Sequence, residues 1–162
     1  MKIHQIPVRN PLRNYMYLLA CEKTQQAIAI DPLDHQRCLE IAKREGLNIT
    51  KVVNTHHHHD HIGGNEAVIA ATGATFYSHR DAMGAIPNVD VGLNKGDRIE
   101  LGELDFQVMD TPGHTMSHIC LLYAGSESEE PALFCGDTLF SAGVGRCDLG
   151  GAPDILYCTF VE

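Results

Sequence analysis

Thr55-His56-His57-His58-His59-Asp60-His61-Ile62-Gly63-Gly64 is the stretch on which the reading of this chain turns. Five of the ten histidines fall between residues 56 and 61. The Val-rich run Ile49 to Asn54 comes before it and reads as a buried strand. In extended backbone alternate side chains share a face. His56 and His58 can therefore reach one cation together, while His57 and His59 point away toward loop packing. Asp60 and His61 follow where the chain must bend, and can face a second cation beside the first. Gly63 and Gly64 let the backbone turn tightly into the next element. The pattern H-x-H-x-D-H has an expected count of about 0.002 in a chain of this length and composition, which sets coincidence aside. An internal run broken by Asp60 is no affinity tag.

Two further stretches supply what the first lacks. Thr111-Pro112-Gly113-His114-Thr115 follows a strand-like run and sets His114 on a rigid loop. Cys135-Gly136-Asp137-Thr138 follows another and sets Asp137 at its end. Imidazole and carboxylate oxygen suit zinc, and catalytic zinc sites keep one position open for water. His56, His58 and His114 make a three-nitrogen site; Asp137 can bridge to a second metal held by Asp60 and His61.

The Thr55–Gly64 segment, with Thr111–Thr115 and Gly136–Phe140, resembles the metallo-β-lactamase superfamily. Asn14-Tyr15-Met16-Tyr17, the Gly63-Gly64-Asn65-Glu66 continuation and Gly136-Asp137-Thr138-Leu139-Phe140 are similar to its glyoxalase II (hydroxyacylglutathione hydrolase) branch. The resemblance implies an αββα sandwich. It implies zinc, as one or two ions, with iron or manganese as alternatives. His56, His58 and His114 would hold the first ion, Asp60 and His61 the second, and Asp137 would bridge them. The implied reaction is metal-assisted hydrolysis of a glutathione thioester, S-lactoylglutathione to glutathione and lactate, with Asp60 as the catalytic carboxylate. Arg146 sits where the family places a basic residue near the glutathione carboxylate, although Cys147 and Asp148 replace the aromatic residues expected after it. The family's later histidine and C-terminal helical region have no counterpart here, so residues 1–162 are expected to form one metal-binding domain truncated at its C-terminus. Gly145-Arg146-Cys147-Asp148 also resembles persulfide dioxygenases, which keeps an iron oxygenase as a rival. A lactone or β-lactam hydrolase, or an inactive metal-binding domain, are the others.

Outward from the histidine run, the elements alternate. Strands are predicted over residues 2–8, 14–22 and 26–30, the last closed by Asp31-Pro32. Asp34 as N-cap, apolar spacing at Cys38, Leu39, Ile41 and Ala42, and Gly46 predict a helix over 35–45. A helix over 65–72 ends at Gly73, and a short strand covers 74–77. Residues 80–97 read as loop. Strands return over 98–101, 104–109, 118–123 and 132–135, with an acidic loop over 125–131. A last helix starts at Pro153 and runs to Glu162. Strands interspersed with helices must bury each other's apolar faces, which makes a layered α/β fold.

The net charge of -9 and the lack of a Lys/Arg cluster exclude a nucleic-acid or anionic-membrane surface. The apolar fraction of 44% is that of an ordinary globular chain. With no signal-like N-terminus, a cytoplasmic home is expected. Cys21, Cys38, Cys120, Cys135, Cys147 and Cys158 form no C-x-x-C pair and are read as reduced, buried thiols. His118 is read as a partner of the His114 loop; His4, His35 and His79 are read as structural or surface residues.

Overall fold

A computed structural model describes residues 1–126 and 129–161. Glu127, Ser128 and Glu162 lie outside the described residues, and with them part of the predicted acidic loop and the end of the last predicted helix. Among the described residues, one sheet runs β1 (Lys2–Pro7), β2 (Tyr15–Ala20), β3 (Gln26–Ile30), β4 (Asn48–Val53), β5 (Thr75–His79), β6 (Val91–Leu93) in spatial order. β1 to β3 pair antiparallel; β3 to β6 pair parallel. A second sheet holds β7 (Arg98–Leu101), β8 (Leu104–Asp110), β9 (Ile119–Tyr123) and β10 (Ala132–Phe134), all antiparallel. A small ribbon pairs β11 (Leu139–Phe140) with β12 (Gly143–Val144).

Strand alternation sorts the core into two slabs. Along β3, Ala27 and Ala29 join one cluster with Cys38, Ile41 and Ala42 of α1 (His35–Glu45) and Val68 of α3 (Asn65–Thr72). Ile28 and Ile30 face the other way, onto Leu101, Phe106, Val108 and Leu121 of the second sheet. Small residues let the helices settle close; branched ones fill the gap between sheets. This makes helix, sheet and sheet in order. α4 (Pro153–Val161) packs on the 111–115 loop: Ala152 N–H donates to the Gly113 carbonyl and Thr159 Oγ1 to the Pro112 carbonyl at 2.6 Å. The predicted layered α/β sandwich is thus present, with α4 set against the 111–115 loop.

α1 has the predicted bounds because its ends are chemically marked. Asp34 accepts from Arg37 N–H at 3.1 Å, and Gly46 takes the left-handed φ of 69°. Three expectations are corrected. The stretch 80–97, expected as loop, holds a 3-10 turn at Arg80–Ala82 and strand β6, which is stabilised by pairing with β5 rather than by its own composition. The histidine run ends in a single helical turn, α2 (His59–Ile62). Gly63 and Gly64 both have right-handed backbone (φ −63° and −104°), so freedom at positive φ is not why glycine is needed. At Gly64 the reason is proximity: a Cβ there would collide with the Pro32 carbonyl oxygen and stand 2.7 Å from that of Leu33. Gly64→Ala is expected to cost about 1–3 kcal/mol, the scale of overpacking, read by urea unfolding.

The thiols divide. Cys21, Cys38 and Cys120 are buried as expected; Cys135 and Cys147 are half-buried and Cys158 is exposed, while all six are free. Among the described residues no helix is long and apolar enough to cross a membrane.

Candidate metal centre

In a parallel sheet the chain leaves each strand at the same edge, where loops from different strands meet. β3 ends at Asp31 and β4 runs into Asn54 and Thr55 at this edge. β8 and β10 of the second sheet bring His114 and Asp137 to the same place. The loops enclose a cleft of about 810 Å³ with His58, Asp60, His61, His114 and Asp137 along it, and with Tyr17, Phe134, Leu139 and Phe140 as apolar lining.

Three imidazoles converge there. His56 Nε2 lies 3.1 Å from His58 Nδ1 and 3.3 Å from His114 Nε2; His58 Nδ1 and His114 Nε2 are 3.0 Å apart. The opposite nitrogen of each ring has an acceptor. His114 Nδ1–H donates to the Arg146 carbonyl at 2.6 Å, and His58 Nε2–H to the Leu149 carbonyl at 3.1 Å. His56 Nδ1–H donates to Thr55 Oγ1 at 3.0 Å, whose own O–H goes to Asp31 Oδ2 at 2.7 Å. These partners set the tautomers, leaving bare lone pairs on the three facing nitrogens. Burial, then the neighbouring His61, pushes His56 far below the ordinary histidine range, so no proton fills the gap. Such a set is suited to holding a cation.

The remaining predicted residues lie beside this triangle. Asp137 stands between the triangle and His61, Oδ2 at 3.6 Å from His114 Nε2 and Oδ1 at 3.4 Å from His61 Nε2. Asp60 Oδ2 is 3.7 Å from His61 Nε2 and accepts from Asn14 Nδ2 at 2.8 Å. His57 and His59 stay outside the triangle: His57 Nδ1 sits 3.5 Å from Ser117 Oγ, and His59 is exposed. Arg146 reaches the cleft lip, but its guanidinium is held by Asp148.

The sequence reading missed Asp31, which it took only as the close of a strand. Asp31 is buried and its carboxylate accepts from Asn54 Nδ2 (3.0 Å), Thr55 N–H (2.8 Å), Thr55 Oγ1 and His61 Nδ1 (2.9 Å). It lies near His56 and His61 closely enough to count as a third ligand of a buried group. Its oxygens are already occupied by those donors, so it orients His61 instead. Asp31 has φ 48°, a conformation that Asp tolerates better than most residues. An aspartate before proline at a strand end is the one local signal that could have found it. His79, read as structural, pairs with Asp110 at 3.2 Å just before the His114 loop.

His118 is fully buried and neutral. Its Nδ1–H is shared by Thr111 Oγ1 (2.8 Å) and Thr138 Oγ1 (3.1 Å), and its Nε2 accepts from Asp137 N–H at 3.3 Å. It thus fixes the backbone of Asp137 and stacks on His56, ring centroids 5.1 Å apart. Burial pushes its pKa down to about 3. Burial would lower His61 too, but the Asp31 and Asp137 carboxylates outweigh it and raise it to about 10.

These shifts set a pH dependence for the metal-free protein. In the unfolded chain His56 and His118 take up protons below about 6.5, while in the folded chain they do not. The unfolded state then binds more protons, and stability falls with pH below about 6.5 by about 1.4 kcal/mol per unit for each residue. His61 acts at the other end: its raised pKa contributes stability fully present below about 6.5 and lost as pH rises toward 10. Urea unfolding at pH 6.0 and 5.0, where the His61 contribution is already complete, should show the midpoint dropping with acid; an unchanged midpoint would contradict the assignment.

The model of the metallo-beta-lactamase superfamily matches residues 10–158 of this chain. The hydroxyacylglutathione hydrolases of Nitrosococcus oceani and of a Polaromonas species are each 52% identical to it, across 100% of this chain and 61% of theirs. The chain therefore spans 61% of the length of these curated relatives. The crystal structure of ETHE1 from Myxococcus xanthus is 33% identical and superposes with a TM-score of 0.88, over 100% of this chain and 69% of that one.

Proposed function

Because the chain belongs to the metallo-β-lactamase superfamily, we propose that it hydrolyses thioesters of glutathione, S-lactoylglutathione foremost, at a zinc centre on His56, His58 and His114. The observation that carries this reading is the triangle of bare nitrogens with edges of 3.0–3.3 Å. Nitrogens held tetrahedrally at about 2.0–2.1 Å from zinc stand about 3.3 Å from one another. Three such nitrogens would hold the ion and would leave a position open for water or substrate. Asp60 and His61 would hold a second ion, with Asp137 placed to touch both. When bound, the metal supplies hydroxide at neutral pH and polarises the thioester carbonyl.

The chain's own groups prepare the rest. Asn14 fixes Asp60, which orients the attacking water and takes its proton. Tyr17, Phe134, Leu139 and Phe140 give the thioester an apolar wall. Cys135 lies in the cleft, but burial pushes its thiol up and its S–H donates to the Leu139 carbonyl, so it is no nucleophile. Six free cysteines support a reducing compartment, the cytoplasm. The partner is a small molecule, without nucleic acid or membrane, as the net charge of -9 supports.

The test is metal content of the purified protein by mass spectrometry, followed by S-lactoylglutathione hydrolysis on the same sample. One or two zinc ions per chain with thiol release is the expected result. Metal-loaded protein that releases no thiol from any glutathione thioester would overturn it. Iron with oxygen uptake on glutathione persulfide would replace it with the oxygenase reading.

A further inference from the structure

Two arginines line the cleft, and their charges are in different states. Arg146 is engaged by Asp148, its Nε donating to Oδ1 at 2.5 Å and its Nη2 to Oδ2. Arg13 is exposed at the lip, and its guanidinium has no partner among the described residues. Its backbone is nevertheless held. Val8 N–H donates to the Asn14 carbonyl at 2.8 Å, Arg13 N–H to the Asn10 carbonyl at 3.2 Å, and Asn10 Nδ2 to Asn14 Oδ1 at 3.2 Å. Arg13 itself adopts φ 60°, which non-glycine residues rarely do. The next residue, Asn14, is tied to Asp60. The loop thus fixes the backbone from which the Arg13 side chain reaches the cleft lip.

The charge balance gives that cation a purpose. The chain carries a net -9, and Asp60 and Asp137 line the same cleft. A carboxylate of a ligand lying at the lip, away from the histidines, needs its own positive charge, and Arg13 is the lining arginine without a partner among the described residues. A glutathione thioester bears carboxylates at both ends of its peptide, and a guanidinium fork binds carboxylate through two parallel hydrogen bonds. We propose that Arg13, rather than Arg146, grips a carboxylate of the glutathione moiety and so selects anionic thioesters. The inference rests on the function proposed above, and its test separates the two.

The probe is S-hexylglutathione, a thioether that cannot be hydrolysed, titrated calorimetrically into wild type, Arg13→Gln, Arg13→Lys and Arg146→Gln. Arg13→Gln should bind about tenfold more weakly, the scale of one charge-assisted hydrogen-bond pair. The difference should shrink in high salt, and Arg13→Lys should recover part of it. The S-hexylglutathione diester, without free carboxylates, should bind wild type and Arg13→Gln alike. Equal binding of the free acid by Arg13→Gln and wild type overturns the proposal. So does an equal loss for the diester, a larger loss for Arg146→Gln, or a wild type that binds no S-hexylglutathione. An Arg13-dependent affinity in a protein that hydrolyses no thioester upholds Arg13 and removes the hydrolase reading; hydrolysis unaffected by Arg13→Gln does the reverse.

Discussion

His114→Ala is expected to lose both bound metal and thioester hydrolysis. The side chain supplies one corner of the nitrogen triangle, 3.3 and 3.0 Å from its two partners. Losing even an outer partner of a metal ligand costs about 10–100-fold in affinity or activity. Losing the ligand itself should lower turnover by more than about a hundredfold and bring metal content toward background. His58→Ala should do the same. Circular dichroism would confirm that the variants fold, since His114 and His58 sit at a cleft edge rather than in either apolar slab. A fully active, metal-free His114→Ala protein would defeat the proposed function.

Asp31→Ala is expected to give the largest loss of stability, about 3–5 kcal/mol, the range for removing one partner of a buried charge pair. Four donors converge on this carboxylate, and alanine leaves them buried and unanswered. Three segments separate at once, because Asp31 joins the end of β3 to Asn54 and Thr55 after β4 and to His61 in α2. His61 would also lose the partner that turns its Nε2 toward Asp60 and Asp137. The second metal should therefore be lost before the first, which metal analysis at limiting zinc would read alongside urea unfolding. Loss of the first metal alone would show that Asp31 acts through Thr55 and His56 instead.

Where the sequence is locally explicit, the structure agrees with it. Asp34 and Gly46 bracket α1 at the expected residues because capping is a matter of neighbouring groups. The i, i+2 spacing of His56 and His58 survives because residue 58 is still extended, φ −66° and ψ 144°, before the helical turn begins. His114 and Asp137 were legible only as complements to that run. What stayed hidden depends on distant chain. β6 exists because β5 offers it a parallel edge, and three residues carry too little pattern of their own. Gly64 is needed because Pro32 passes close by, a fact of tertiary contact. Asp31 looks like punctuation in one dimension and gathers four donors in three. Arg146 was expected to face a substrate carboxylate, yet its guanidinium is engaged by Asp148 two residues away.

The segment from Gly145 to Leu149 touches the nitrogen triangle through its backbone. Its carbonyls at Arg146 and Leu149 receive the outer N–H groups of His114 and His58, and Gly145 lies so near that a Cβ would stand 2.8 Å from His114 Cγ. It serves as a ruler of fixed length. Side chains at 146 to 149 can be exchanged to reshape the entrance, because none of them touches either imidazole through these bonds. Adding or removing a single residue there would move one carbonyl relative to the other and detune both rings. Redesign of substrate range in this scaffold should therefore change letters in that segment and never its count.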